Sequence, residues 1–239
     1  MNLILSVAKR ELSVFFDSLI AYVMLLGFLG FSGFFTWLYG NDIFLVGQAN
    51  LKTFFTISSW TLFFFIPAIT MKMIAEEKKS GTLELILTKS ISDRQFIIGK
   101  FLGAVSLVLV ALVATFPYVI TLSLIGDLDN GGTICGYFGL FLMTIAYAAI
   151  GIFSSSLTNN QIVAFMLSLV ICLFFHIIFD VLAANSSGII SWLFETLSLQ
   201  THFDSISRGV IDSRDLVYFI SITILGLFSA ELSLSKSHS

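Results

Sequence analysis

Long uncharged stretches alternate with short polar breaks along this chain. Six stretches stay apolar for about 20 residues, the length a helix needs to cross a hydrocarbon core with every backbone group paired internally. They fall at residues 18–39, 53–71, 101–125, 133–153, 162–179 and 216–234. The fourth and fifth lie within residues 130–179, which carry no formal charge and are too many for one helix; the polar run SSSLTNNQ at 154–161 divides them. The pattern predicts an all-α integral membrane protein, a single transmembrane domain over 1–239 with six transmembrane helices.

Residues 1–17 have a different pattern. At 100° per residue, Asn2, Ser6, Lys9, Arg10, Ser13 and Asp17 fall on one arc, and Leu3, Leu5, Val7, Ala8, Leu12 and Phe15 are among the apolar residues that cover the rest. This predicts an amphipathic N-terminal helix lying in the inner membrane interface. Glu11 falls inside the apolar arc. Two readings are open for it: an ion pair with a basic residue of the loop after the second span, or a carboxylate snorkelling to the headgroups. The uncharged run after Asp17 is too long for the apolar core of a cleavable leader and lacks a small-residue cleavage site, so no leader is expected.

The loop at 72–100 gathers Glu76, Glu77, Glu84 and Asp93 with Lys72, Lys78, Lys79, Lys89, Arg94 and Lys100. With both termini cytoplasmic, these six cations join Lys9, Arg10 and Lys236 inside, against Lys52, Arg208 and Arg214 outside. That asymmetry places the loop in the cytoplasm. Within it, residues 70–79 continue the second span and Gly81 breaks or caps that helix. Residues 82–89 form a short cross-helix about 12 Å long, on which Leu83, Ile86 and Leu87 share one face while Leu85 points the other way beside Glu84 and Thr88. Ser92 with Gln95 forms a capping box that starts the third span's helix. The longest outer loop, 182–215, holds GIISWLFETLSL, too short to span and suited to a re-entrant or interfacial helix.

Composition sharpens this picture. The chain is 57% hydrophobic and 11% charged, against about 25% charged in soluble domains, which leaves no room for a separate soluble domain. A net charge of −3 argues against nucleic acid as a partner. Cys135 and Cys172 have no metal-site spacing, and His176, His202 and His238 are scattered. Gly99-Lys100 is followed by Phe101, and Arg94 stands where a phosphate-binding loop would have its first glycine. The chain is expected to be no enzyme and to bind no cofactor. Pro67 and Pro117 lie inside spans as candidate hinges or as static kinks. His176 and Asp180, four residues apart in the fifth span, are candidates for a polar path, and Glu231 is a further ionisable residue near a span end.

The stretch PAITMKMIAEEKKSGTLELILTKSISDRQFIIGKF at 67–101 resembles the signature of type-2 ATP-binding-cassette (ABC) transporter permeases. KRELSVFFDSLIAYV at 9–23, SSLTNNQIVAF at 155–165 and THFDSISRGVIDSRDLVYF at 201–219 are similar to the branch associated with gliding motility and nitrous-oxide-reductase maturation. Ser90 stands where that family usually has proline. The resemblance implies that the cross-helix is a coupling helix seated in a separate ATPase subunit. Glu76, Glu77, Lys79, Gly81, Thr82, Leu83, Glu84, Leu85, Ile86 and Leu87 would form that coupling site. Glu76 and Glu77 would either meet the ATPase or pair with Lys79 and its neighbours. It also implies a second permease chain, ATP and Mg²⁺ held by the ATPase, a periplasmic accessory partner, short outer helices roofing the path, and a bacterial inner membrane. The job would be export, or mechanical signalling in gliding motility. The alternative is an ATP-independent secondary transporter, which would carry charged mid-membrane sites and repeated halves.

Overall fold

The computed structural model describes residues 3–38, 50–83 and 91–236, and every regular element among them is helical. Helix α1 spans Leu3–Asp17 and α2 Leu19–Trp37. Helix α3 (Lys52–Thr70) is followed after a turn by α4 (Ala75–Ser80). Helices α5 (Asp93–Val113) and α6 (Phe116–Ile125) make up the third passage, and α7 (Asn130–Ser156) the fourth. Helix α8 (Gln161–Leu173), a π turn at Phe174–Ile178 and α9 (Phe179–Ala184) form the fifth. Two short helices, α10 (Ile189–Leu197) and α11 (Leu199–Ser207), precede α12 (Ser213–Lys236).

Among the described residues six passages are long and apolar enough to cross a membrane, each overlapping one of the predicted spans. Contacts between Lys78 and Ser156, and between Ser156 and Ser233, bring the second, fourth and sixth passages together at one end of the bundle. That end also holds Lys9, Arg10, Lys72, Lys79, Arg94 and Lys100, while Lys52, Arg208 and Arg214 lie at the other. We call the first the charged end. Helix α7 is the central pillar: 78% of its apolar window is buried, against 28% for α2 and 22% for the passages containing α8 and α12. Those three turn their Leu, Ile and Phe side chains outward, as helices whose solvent is lipid can. Cys135 and Cys172 are buried, free thiols.

Three of the passages are interrupted, each for a local reason. Between α3 and α4 the chain turns at 71–74, four residues after Pro67, whose carbonyl still accepts from the Met71 amide at 3.0 Å. The third passage breaks at Ala114–Thr115, where the Thr115 hydroxyl bonds back to the Leu112 carbonyl at 2.6 Å. Pro117 then sits in the first turn of α6, where a missing N–H costs nothing. The fifth passage loosens into the π turn around His176, an insertion that often marks a site of use.

At the opposite end, α11 buries Leu199, Phe203 and Ile206, whereas α10 buries none of its residues. His202 ties the two to α12: its Nδ1 lies 2.6 Å from an Asp215 carboxylate oxygen and its Nε2 3.1 Å from the Thr196 carbonyl, with the ring stacked on Tyr218. Phe54, Phe55, Tyr118 and Tyr137 pack ring against ring at the same end.

Helix α1 packs one of its faces against the bundle. Its stripe Val7, Ala8, Glu11 and Phe15 is buried, seated on α5 through Gly99 and Gly103. A Cβ on Gly99 would come within 2.6 Å of the Val7 Cβ, and one on Gly103 within 2.7 Å of the Glu11 Cβ. Small residues four apart let two backbones approach this closely. Gly103→Ala is therefore expected to cost about 1–3 kcal/mol through overpacking, whereas Gly30→Ala, with nothing within 4 Å of the new Cβ, is expected to cost nothing. Thermal unfolding of both variants in mild detergent checks the difference.

Candidate functional site

The charged end is built around one buried ammonium. Lys100, in the second turn of α5, is 1% exposed, and Glu11 of α1 is 6% exposed. The Lys100 Nζ lies 3.1 Å from Glu11 Oε1 and 2.9 Å from Glu77 Oε1. Arg10 closes the ring, its Nη2 3.2 Å from Glu11 Oε1 and 2.7 Å from Glu77 Oε1. Two cations thus alternate with two carboxylates and the set is neutral. The Lys100 ammonium also stands over the Phe96 ring at 5.0 Å, and Lys72 over Phe15 at 5.7 Å, both within the reach of a cation–π contact. Helices α1, α4 and α5 are joined at this point.

This decides between the two readings of Glu11: it is paired, with Lys100 and Arg10, and does not snorkel. The sequence offered any of the six loop cations as its partner and did not single out Lys100. Two signals were present: Lys100 is the last charge before the uncharged run 101–126, and Gly99 with Gly103 brackets it at close-approach spacing.

A second mount holds α4 to α7. The first amides of any helix lack intrahelical partners, and here the Ser155 hydroxyl accepts from both the Ile74 and Ala75 amides at 3.0 Å. The same hydroxyl donates to the Met71 carbonyl at 2.9 Å. One side chain therefore bridges the whole interruption between α3 and α4. Lys78 donates to the Ser156 carbonyl at the C-terminus of α7 at 2.5 Å, and Ser233 of α12 donates to the same carbonyl at 2.9 Å. A cation at a helix C-terminus also meets the negative end of its dipole.

The predicted coupling residues divide between inside and outside. Glu77 is turned inward into the ion-pair ring, and Leu83 is 3% exposed within the bundle core. Glu76, Lys79, Gly81 and Thr82 are exposed, and neither Glu76 nor Lys79 pairs with another described residue. Gly81 ends α4 in the left-handed region at φ 69°, its N–H on the Lys78 carbonyl, a conformation that glycine adopts without strain. The Ser80 and Thr82 hydroxyls bond each other at 2.8 Å across it. Beside the ring lies a cleft of about 300 Å³, lined by Arg10, Lys72, Glu76, Glu77, Ser80 and Thr82. Glu84, Leu85, Ile86 and Leu87 lie outside the described residues. Ser92 and Gln95 form the reciprocal cap that opens α5.

The polar-path candidates do not meet. His176 is buried, its Nδ1 2.8 Å from the Tyr147 hydroxyl and its ring stacked on Phe63. Asp180 instead accepts from the Thr201 hydroxyl at 3.3 Å. Among the described residues no three His, Cys, Asp or Glu side chains converge as a metal site.

A family model described as ABC-2 family transporter protein matches residues 11–229. Among curated proteins, none matches the chain.

Because Lys100 and Glu11 are buried, removing one of them strands a charge, a loss of about 3–5 kcal/mol. Lys100→Met is expected to lose that much in detergent unfolding. Adding Glu11→Gln, which leaves Arg10 and Glu77 as a balanced pair, is expected to restore most of it. Equal losses in the single and double variants would show that the ring does not hold this end together.

Proposed function

The chain belongs to the ABC-2 transporter family, and we propose that within it this protein is the permease subunit driven by separate ATPase subunits. It is a multi-pass membrane component of an ABC transporter; the proposal concerns how that component is worked. The charged end faces the cytoplasm with both termini, in a bacterial inner membrane. Residues 72–100 form the coupling region, and ATP with Mg²⁺ is bound by the partner ATPase. A second permease chain, identical or related, completes the path. The output is export of a substrate or mechanical signalling to periplasmic partners, with the gliding-motility branch carried by the sequence resemblance.

The observation that supports this reading is the mounting of α4. A segment that receives force must be stiffly attached to the parts it moves and exposed where it is pushed. Ion pairs to α1 and α5 and hydroxyl bonds to α7 fix α4, while Glu76, Lys79, Gly81 and Thr82 remain exposed beyond those mounts. Exposed ion pairs supply little energy individually, so apolar contacts from Leu85, Ile86 and Leu87 carry most of the affinity for the ATPase, and Lys79 and Glu76 set its orientation.

Purification from native membranes in mild detergent tests this. An ATPase is expected to co-purify and to be lost on Leu85→Glu combined with Lys79→Glu, positions chosen because Leu83 is buried and its replacement would disturb the fold itself. A cysteine at position 79 is expected to react with a membrane-impermeant thiol reagent from the cytoplasmic side only. Ion-driven uptake by the chain alone, with no ATPase attached, would favour the secondary transporter instead.

A further inference from the structure

Away from the ion-pair ring, the charged end carries a second polar feature of the opposite kind. Arg94, Ile97 and Ile98 of α5 face Leu227, Phe228 and Glu231 of α12 across a groove of about 260 Å³. In the ring every charge meets a partner. Here Arg94 and Glu231 border one groove, and neither has a hydrogen bond or ion pair with any described residue.

The order of the lining along the bundle axis is specific. Arg94 is the second residue of α5, and Glu231 lies five residues before the end of α12. At 1.5 Å per residue, Ile97, Ile98, Leu227 and Phe228 sit roughly 5 Å deeper than those two charges. The groove therefore has one cation and one anion at its mouth and apolar side chains below, the order of headgroup and acyl chain in a phospholipid.

We propose that this groove binds one phospholipid whose headgroup carries both a phosphate and a primary ammonium, the phosphoethanolamine type. The planar guanidinium of Arg94 matches phosphate oxygens in a bidentate contact. The Glu231 carboxylate accepts from the ammonium. One acyl chain lies along Ile98, Ile224, Leu227 and Phe228. A glycerol headgroup offers Glu231 no cation, and a choline headgroup offers a cation with no N–H to donate. The mouth therefore selects ethanolamine over both. A lipid held here wedges α5 against α12, beside the segment that opens the third passage.

The full-length protein in mild detergent, titrated with phosphatidylethanolamine, phosphatidylglycerol and phosphatidylcholine and read by native mass spectrometry, tests the assignment. Phosphatidylethanolamine is expected to bind about tenfold more tightly than the other two, the worth of one charge-assisted hydrogen bond. Glu231→Gln is expected to erase that preference. Arg94→Gln is expected to weaken all three by about tenfold. Both side chains are at least partly exposed, and unchanged unfolding temperatures will confirm that the variants fold. Equal binding of the three lipids by the unaltered protein, or unaltered lipid retention in both variants, overturns the proposal. So does efficient disulfide cross-linking between chains carrying Ile98→Cys and Phe228→Cys in membranes, because a second copy would then fill the groove.

Discussion

Lys100 is 1% exposed, and the architecture of the charged end follows from satisfying it. Withdrawing an ammonium from water costs several kcal/mol, which is offset only by close, well-placed opposite charge. Lys100 draws that charge from two helices, Glu11 on α1 and Glu77 on α4, and Arg10 balances the resulting excess of carboxylate. The backbone geometry is a precondition. Only because Gly99 and Gly103 lack side chains can α1 lie close enough for Glu11 to reach Lys100. The ion pairs then fix the register of α1 on α5, which apolar packing alone would leave free to slide.

The same end is joined to the pillar by hydroxyl groups instead of charges. Ser155 substitutes for the missing turn between α3 and α4, and Ser156 gathers Lys78 and Ser233 on a single carbonyl. Helix α4 is thus tied to α1, α5 and α7, and through Ser156 to the sixth passage. Under the function proposed above, in which a separate ATPase would push on α4, this arrangement would deliver a displacement of α4 to several passages at once. The interruptions at 114–115 and 174–178 lie away from these mounts, and Tyr147 bonded to His176 braces the second of them against α7.

The six passages were legible because the hydrocarbon core imposes a length and forbids unpaired backbone, so each span leaves a long apolar run. The cap at Ser92 and the end at Gly81 were legible because local chemistry alone determines them. Pro117 marked a kink in the third span, although the exact position of the break at Ala114–Thr115 was not legible. The π turn was not legible at all, since it occurs inside uniformly apolar sequence where packing against α3 and α7 decides. Of the site, the odd position of Glu11 was visible on a helical wheel, but its partner was not. Any of six cations in the loop could have served, and choosing Lys100 required knowing which helix α1 lies against. Ser155 read as part of a polar break; its role depends on an interruption between α3 and α4 that the sequence marked only as a candidate kink at Pro67.

Hydrogen–deuterium exchange on the unaltered protein and on Lys100→Met addresses the central claim most directly. The account predicts faster exchange in α1 and α4 together in the variant, with the core of α7 unchanged, because one buried cation holds both helices. Faster exchange in only one of the two, or in neither, would contradict it.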